Sequence, residues 1–160
     1  MKVVTGNLID MARQGNFSII VHGCNCFHTM GGGIALQLRQ LYPEVAEADR
    51  ASVRGAREKL GTLTSAHTSD RFMVVNAYTQ YHYGEDPDVV DGVLVDYDAV
   101  RTAFRMVKKI HGGRGVRFGI PKIGAGLARG DWNVLEKIID EEMAGEDLTL
   151  VTLPVKRGRL

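Results

Sequence analysis

Residues 18–35 of the chain have the sequence SIIVHGCNCFHTMGGGIA, and this stretch decides the fold. It starts with an apolar run at residues 19–21, which is typical of a central strand buried on both faces. A polar loop follows, and the triple glycine at residues 31–33 opens a segment whose apolar residues recur at helical spacing as far as residue 41. A buried strand that leads through a glycine-rich loop into a helix is the building unit of an α/β domain.

The sequence IPKIGAGLARGDW at residues 120–132 repeats this arrangement later in the chain. Glycines let a ligand approach the main chain closely, and the start of a helix carries partial positive charge, so both loops are suited to an anion. Two such loops predict a diphosphate held from both sides, whereas the alternative interpretation is that the glycines only permit tight turns. Neither loop has the Walker A or the G-x-G-x-x-G pattern, which argues against ordinary nucleotide hydrolysis and NAD-dependent hydride transfer.

The rest of the chain alternates short β-branched runs with longer segments of helical period, which again predicts an α/β fold. The predicted strands cover residues 2–5, 18–21, 62–66, 71–77, 116–120 and 148–153. The predicted helices cover residues 92–111, residues 131–143 with Asp131 as the N-cap, and a segment that opens at residue 33, breaks at Pro43 and continues to residue 59.

The composition favours a single domain. The chain has 160 residues, 44% of them hydrophobic, and we place the domain at residues 1–154, followed by a short basic tail at residues 155–160.

The net charge of the chain is +1, which gives no overall basic field, so binding of nucleic acid would need a local patch. No apolar run approaches the ~20 residues of a membrane span, and the first turn comes too early for a signal peptide, so we expect a cytoplasmic protein without membrane contact.

Histidine and cysteine alternate at His22, Cys24, Cys26 and His28. The pattern suggests a zinc site, because thiolate and imidazole are the usual zinc ligands. The spacing argues against it, since structural zinc sites hold their ligands on wider loops, and we predict no metal. Two cysteines separated by one residue form no disulfide framework, so free thiols are expected.

Three stretches together resemble the macrodomain family, whose members bind ADP-ribose: residues 6–9 (GNLI), residues 25–34 and residues 120–127. They occur in the order and at the separations that are typical of that family. Two stretches are most similar to the branch that contains the fungal ADP-ribose 1''-phosphate phosphatase. They are HGCNC at residues 22–26, and GGGIA at residues 31–35 followed by LYP at residues 41–43. The resemblance implies a three-layer α/β/α sandwich with a mixed, mostly parallel central sheet of about six strands, and a ligand cleft at the strand ends.

The resemblance also assigns roles within that cleft. Asn7, which stands where many relatives have an aspartate, would contact the adenine together with Leu8 and Ile9, and Asn25 matches the asparagine that contacts the distal ribose. Gly31, Gly32, Gly33 and Ile34 would line the distal ribose and one phosphate. The diphosphate would be cradled by Ile123, Gly124, Ala125, Gly126 and Leu127.

For the chemistry, the resemblance implies hydrolysis of ADP-ribose 1''-phosphate by water, with the loop amides stabilising the transferred phosphoryl group. His22 at a ligand-facing strand end and Asp131 are the candidates for handling the proton, and neither a metal nor a cofactor is required. The alternative interpretations are a hydrogen-bonded structural histidine and an aspartate that only caps its helix.

Two further functions remain open. One is an ADP-ribosyl hydrolase that removes ADP-ribose from protein or nucleic acid with a water positioned by Asn25, so ADP-ribosylated macromolecules are possible partners. The other is a non-catalytic ADP-ribose reader. A branch of the family that attacks the ribose with a lysine also has an aspartate after the Gly-Leu of the second loop. Here Ala128 follows Leu127 and no lysine occurs between Lys59 and Lys108, which argues against that mechanism.

Overall fold

The computed structural model describes residues 1–84 and 89–155. In chain order, the elements are β1 (Lys2–Thr5), α1 (Leu8–Arg13), β2 (Ile19–Cys24), α2 (Gly33–Leu41), α3 (Pro43–Arg50), β3 (Leu63–His67), β4 (Met73–Tyr78), α4 (Tyr97–His111), β5 (Arg117–Ile120), α5 (Trp132–Glu142) and β6 (Asp147–Thr152). Short 3₁₀ turns lie at Arg57–Lys59 and Val90–Gly92.

The strands described form one six-stranded sheet in the order β1-β6-β5-β2-β4-β3. Neighbouring strands run parallel except for β3, which pairs antiparallel with β4 at one edge. The sheet is therefore mixed and mostly parallel, as the resemblance implies.

Helices cover both faces of this sheet, and the side chains of β2 show why. Ile19 and Val21 belong to the core under α4 and α5, whereas Ile20 belongs to the core on the opposite face, under α1, α2 and α3. Alternate side chains of a strand point to opposite faces, so an uninterrupted apolar run is the pattern that a doubly covered strand requires. The predicted three-layer α/β/α fold is confirmed.

The element boundaries differ from the predicted ones at several points. Helix α4 begins at Tyr97 rather than at residue 92, because Asp91 and Gly92 have positive φ angles and the carboxylate of Asp96 caps the N–H of Ala99. The stretch predicted to remain helical to residue 59 ends at Arg50. Helix α1 was not predicted at all, since six residues are too few to show a helical period.

Strand β2 extends to Cys24, three residues beyond its predicted end, because it pairs with β4 along its whole length. Most of the predicted basic tail, residues 156–160, lies outside the described residues. Within the described part of the chain, no helix is both long and apolar enough to cross a membrane.

Candidate functional site

A cleft of about 1100 Å³ lies at the edge of the sheet where the parallel strands β2 and β5 end. Cys24, the last residue of β2, and Pro121, which follows β5, both line it. Clefts for ligands are expected at this edge of an α/β sheet, because the loops that leave parallel strands meet there. The cleft is lined by the predicted site residues Asn25, Gly31, Gly32, Gly33, Ile34, Ile123, Gly124, Gly126 and Leu127.

The two glycine-rich loops meet across this cleft. A Cβ atom placed on Gly32 would lie 2.8 Å from Cδ1 of Leu127, so the loops come within contact distance of each other. The Leu127 side chain is 79% exposed there and takes no part in the core. The main chains of both loops therefore face one cavity, which is the geometry needed to hold a diphosphate between them.

Asn25 shapes the first loop from within. Its Oδ1 accepts a hydrogen bond from the N–H of Phe27 (2.8 Å), and its Nδ2 donates one to Oγ1 of Thr29 (2.6 Å). His28 and Met30 in the same loop have φ angles of +60° and +39°, a region that residues with side chains rarely adopt. Strain of this kind persists where the surrounding contacts hold the backbone in place, and it is concentrated at functional loops.

Helix α2 begins at the cleft without a side-chain cap. Its N-cap residue is Gly32, which has no side chain to accept hydrogen bonds from the amides of the first turn. Those amides keep their donors for a ligand or solvent, and the helix dipole adds partial positive charge at the same point. The first turn of α2 contains no acidic residue to compete with an anion.

The second loop is fixed to the core through Gly124. This residue has a φ angle of +75°, and a Cβ atom on it would lie 2.6 Å from Cγ2 of Val95. The N–H of Gly130 donates to the carbonyl of Gly124, and the carbonyl of Ala128 accepts from the N–H of Leu94. The loop is therefore held in one conformation with its outer main chain open to the cleft. Lys122 and Arg129 also line the cleft, so its second-loop side carries positive charge.

His22 does not face the cleft. Its side chain is fully buried, and its Nε2 lies 2.6 Å from Oδ1 of Asn76, its partner in the register of β2 and β4. Nδ2 of Asn76 donates to the carbonyl of Val45, so Oδ1 is the acceptor and Nε2 of His22 carries the proton. The prediction that His22 faces the ligand is wrong, because β2 continues past this residue and its side chain is buried within the sheet.

Burial lowers the pKa of His22 below its ordinary value of 6.5, although the hydrogen bond with Asn76 and the charge of Asp49 oppose the shift. As the pH falls, the unfolded chain binds a proton at this residue before the folded protein does, so acid destabilises the fold through His22. The slope from one such group is at most about 1.4 kcal/mol per pH unit. We predict that His22→Gln flattens the decrease in the free energy of unfolding between about pH 7 and pH 5, measured by urea denaturation. Parallel pH profiles for the variant and the wild type would contradict this role.

Asp131 lies outside the set of residues that line the cleft. Its Oδ1 accepts a hydrogen bond from the N–H of Asn133 (2.9 Å), which makes it the N-cap of α5, as predicted. Its own N–H donates to the hydroxyl of Tyr97. The observed contacts are those of a capping residue, and its part in proton transfer stays a prediction.

The residues assigned to the adenine do not line the cleft either. The side chains of Leu8 and Ile9 are buried in the core beneath α1. Asn7 is exposed, and its Oδ1 accepts from the N–H of Asp10 as the N-cap of that helix. Their contact with an adenine stays a prediction.

The alternating histidines and cysteines do not converge on one point: Sγ of Cys24 lies 3.6 Å from Nε2 of His22, whereas Cys26 and His28 contact other residues. Sγ of Cys26 donates to the carbonyl of Gln80, and Nε2 of His28 lies 3.2 Å from Oγ of Ser52. Among the residues that the structure describes, no group of three acidic, histidine or cysteine side chains is placed to hold a metal ion. Both cysteines are buried and neither forms a disulfide. Burial raises the pKa of the Cys26 thiol to about 11 and raises the pKa of the Cys24 thiol as well.

Several residues of the cleft wall were not predicted from the sequence, and two of them are the polar residues Asp49 and Gln80. Asp49 on α3 and Gln80, which comes just after β4, both line the cleft. The sequence of α3, PEVAEADR, has the appearance of a charged surface helix, so it gives no sign that one of its carboxylates is buried. Gln80 lies two residues after the end of the apolar strand β4, and this position near the strand end is the one signal that was available.

Comparison with known proteins supports the fold assignment. No family model matches the sequence. An uncharacterized 17.5 kDa protein from the tk-vs intergenic region of Enterobacteria phage T4 is 29% identical over 157 residues, which covers 94% of this chain and 95% of the phage protein. A structure from Bacteroides thetaiotaomicron, described as a protein of unknown function, superposes with a TM-score of 0.80 at 25% identity, covering 95% of this chain and 97% of that one.

Two solved structures connect the fold with a named family. The macrodomain of Thermus aquaticus DarG superposes with a TM-score of 0.69 at 21% identity, over 96% of this chain and 97% of that one. Thermosipho africanus DarTG, solved in complex with ADP-ribose, superposes with a TM-score of 0.71 at 13% identity, over 99% of this chain and 42% of that one. Together with the sheet order and the two loops at its edge, these likenesses show that the chain has the macrodomain fold.

Proposed function

We propose that this chain binds ADP-ribose in the cleft between the two glycine-rich loops. The observation that carries the proposal is the meeting of both loops at one cavity of about 1100 Å³, large enough for a ligand with two sugars, a base and a diphosphate. Thermosipho africanus DarTG, part of which superposes on this chain, was solved in complex with ADP-ribose, and this supports the choice of ligand.

The electrostatics of the cleft suit the diphosphate. The first amides of α2 are uncapped, and the helix dipole adds positive potential where they point. Lys122 and Arg129 line the opposite side, where their long side chains are exposed and free to approach a phosphate. The diphosphate accordingly lies between the start of α2 and the second loop.

We further propose that the bound ligand is ADP-ribose 1''-phosphate and that the protein hydrolyses it. Water attacks the phosphorus atom, the P–O bond to the ribose breaks, and the ribose oxygen takes up a proton as phosphate leaves. The loop amides support this step by stabilising the charge on the phosphoryl oxygens. Because His22 is buried and Asp131 caps a helix away from the cleft, the proposal rests on the amides and on the sequence resemblance.

Calorimetric titration with ADP-ribose, followed by a phosphate-release assay on the 1''-phosphate, tests both steps. We expect saturable binding with one site per chain, and release of one phosphate for each molecule of ADP-ribose formed. The absence of binding heat contradicts the ligand assignment. Binding without phosphate release contradicts the phosphatase, and incubation with ADP-ribosylated protein and nucleic acid then separates an ADP-ribosyl hydrolase from a reader.

A further inference from the structure

Asp49 is a buried carboxylate at the inner wall of the cleft. Only 1% of the residue is exposed, yet it lines the cleft, and its Oδ1 accepts a hydrogen bond from the hydroxyl of Tyr78 at 2.7 Å. The described residues give it no ion-pair partner. Burying a carboxylate without a direct counter-ion is costly, and groups of this kind are concentrated at functional sites.

A chain of four hydrogen bonds ends at this carboxylate. His22 Nε2 donates to Asn76 Oδ1 (2.6 Å), and Asn76 Nδ2 donates to Thr64 Oγ1 (3.1 Å). The proton of Tyr78 is committed to Asp49, because a carboxylate only accepts, and the Thr64 hydroxyl therefore donates to the Tyr78 oxygen (2.9 Å). All four donors point toward Asp49, so each bond polarises the next and the carboxylate is the acceptor at the end of the series.

Lys59 packs against the ring of Tyr78. Its ammonium group lies 4.4 Å from the centre of the Tyr78 ring and donates to the carbonyl of Cys26. It is buried, but it does not line the cleft. Among the described residues Lys59 forms no ion pair with Asp49, so its ammonium group leaves open the side of the carboxylate that faces the cleft.

The charge of Asp49 restricts what can lie against it. A carboxylate repels a diphosphate, so the part of the ligand at this wall must be uncharged and must supply hydrogen-bond donors. Cys24, Asn25 and Gln80 line the same cleft, and Cys24 and Asp49 are close enough for the aspartate charge to raise the pKa of the thiol. Because only 1% of Asp49 is exposed, a small end group of a ligand fits this contact best, and the terminal sugar of ADP-ribose carries the required hydroxyl groups.

We infer that Asp49 is the recognition residue for the terminal ribose: the ribose hydroxyls that carry no phosphate donate to the carboxylate oxygen that Tyr78 leaves free, and the 1''-phosphate of the proposed substrate points away from it. The inference rests on the proposed binding of ADP-ribose and extends it by naming the group that distinguishes ADP-ribose from ADP. His22, Asn76, Thr64 and Tyr78 act through Asp49 as positioning residues. This gives the buried histidine a role without contact to the ligand.

Titration of wild-type protein and of Asp49→Asn with ADP-ribose and with ADP tests the inference. Asparagine has the shape of aspartate and still accepts from Tyr78, so the fold is kept, which a thermal melt verifies. We expect the variant to bind ADP-ribose about tenfold or more weakly and ADP as tightly as the wild type, because only the charge-assisted bond to the terminal sugar is lost. The wild-type preference for ADP-ribose over ADP then shrinks by the same factor.

Asp70→Asn is a matched control. Asp70 also accepts from a tyrosine hydroxyl, that of Tyr42 at 2.5 Å, but it is exposed and does not line the cleft. We expect this variant to bind both ligands like the wild type. Tyr78→Phe is a second probe, since it leaves the carboxylate in place without its orienting donor and is expected to reduce the preference for ADP-ribose in part.

The outcomes test the binding of ADP-ribose and the role of Asp49 separately. If the wild type binds neither ligand, the proposed function fails. If the wild type binds ADP-ribose and Asp49→Asn binds it equally well, the inference alone is overturned. A variant that loses affinity for ADP and ADP-ribose by the same factor also overturns it, because Asp49 would then contact the nucleoside half of the ligand.

Discussion

Replacement of Gly32 by glutamate is expected to lower the affinity for ADP-ribose at least a hundredfold. The backbone of Gly32 is extended, with φ of −150°, so a side chain is sterically acceptable to the main chain and the fold should survive. The new side chain would enter the space between the two loops, where Leu127 lies 2.8 Å from its Cβ position. Its carboxylate would repel the diphosphate and compete for the amides of α2, and a hundredfold loss corresponds to about 2.7 kcal/mol.

Two control variants separate the causes of this effect. Gly32→Ala adds bulk without charge, so it should weaken binding much less than glutamate does. Gln37→Glu adds the same charge on the exposed side of α2, away from the cleft, and should leave binding unchanged. Calorimetric titration of all three variants measures the difference. Full affinity in Gly32→Glu would show that the diphosphate lies elsewhere.

Replacement of Gly124 by alanine is expected to lower the free energy of unfolding by about 2–4 kcal/mol. The φ angle of +75° is unfavourable for alanine. The added methyl group would also lie 2.6 Å from Cγ2 of Val95 and 3.2 Å from Cδ1 of Leu135, and both side chains are buried in the core. Strain and overpacking add at this position, because the loop has no room to move away from the core. Equilibrium unfolding in urea measures the change.

Gly126→Ala is the matched control in the same loop. A Cβ atom at this position meets no atom within 4 Å, and Gly126 is not among the residues with positive φ. Its free energy of unfolding should stay within about 0.5 kcal/mol of the wild-type value. Equal effects of the two substitutions would mean that Gly124 is not the point at which the second loop is fastened to the core.

The strands and the glycine-rich loops were predictable because their signals are local. The apolar run of β2 requires burial on both faces, and a loop that joins a buried strand to a helix has its place at the carboxyl edge of the sheet. The periodicity of its apolar residues predicted that α4 is a helix but not where it begins. The start depends on the capping carboxylate of Asp96 and the positive φ of Asp91, and neither produces a periodic pattern in the sequence.

The inner wall of the cleft was not predictable, because it depends on the register between distant segments. His22 lies opposite Asn76 through the pairing of β2 with β4, and the sequence does not encode that register in any short motif. Asp49 is buried because α3 packs on β3 and β4, which brings its carboxylate to Tyr78. A charged residue on a short helix is ordinarily solvated, so its role is visible only once the tertiary contacts are known.

The protonated state of the two cysteines has a practical consequence. Alkylating reagents and peroxide react with the thiolate, and here burial and raised pKa values keep Cys24 and Cys26 as thiols at neutral pH. The cleft wall, which contains Cys24, is thereby less open to oxidation at sulfur. Cysteine introduced on the surface would be the preferred target for a maleimide dye, so reporters can be attached to either loop without first removing the native residues.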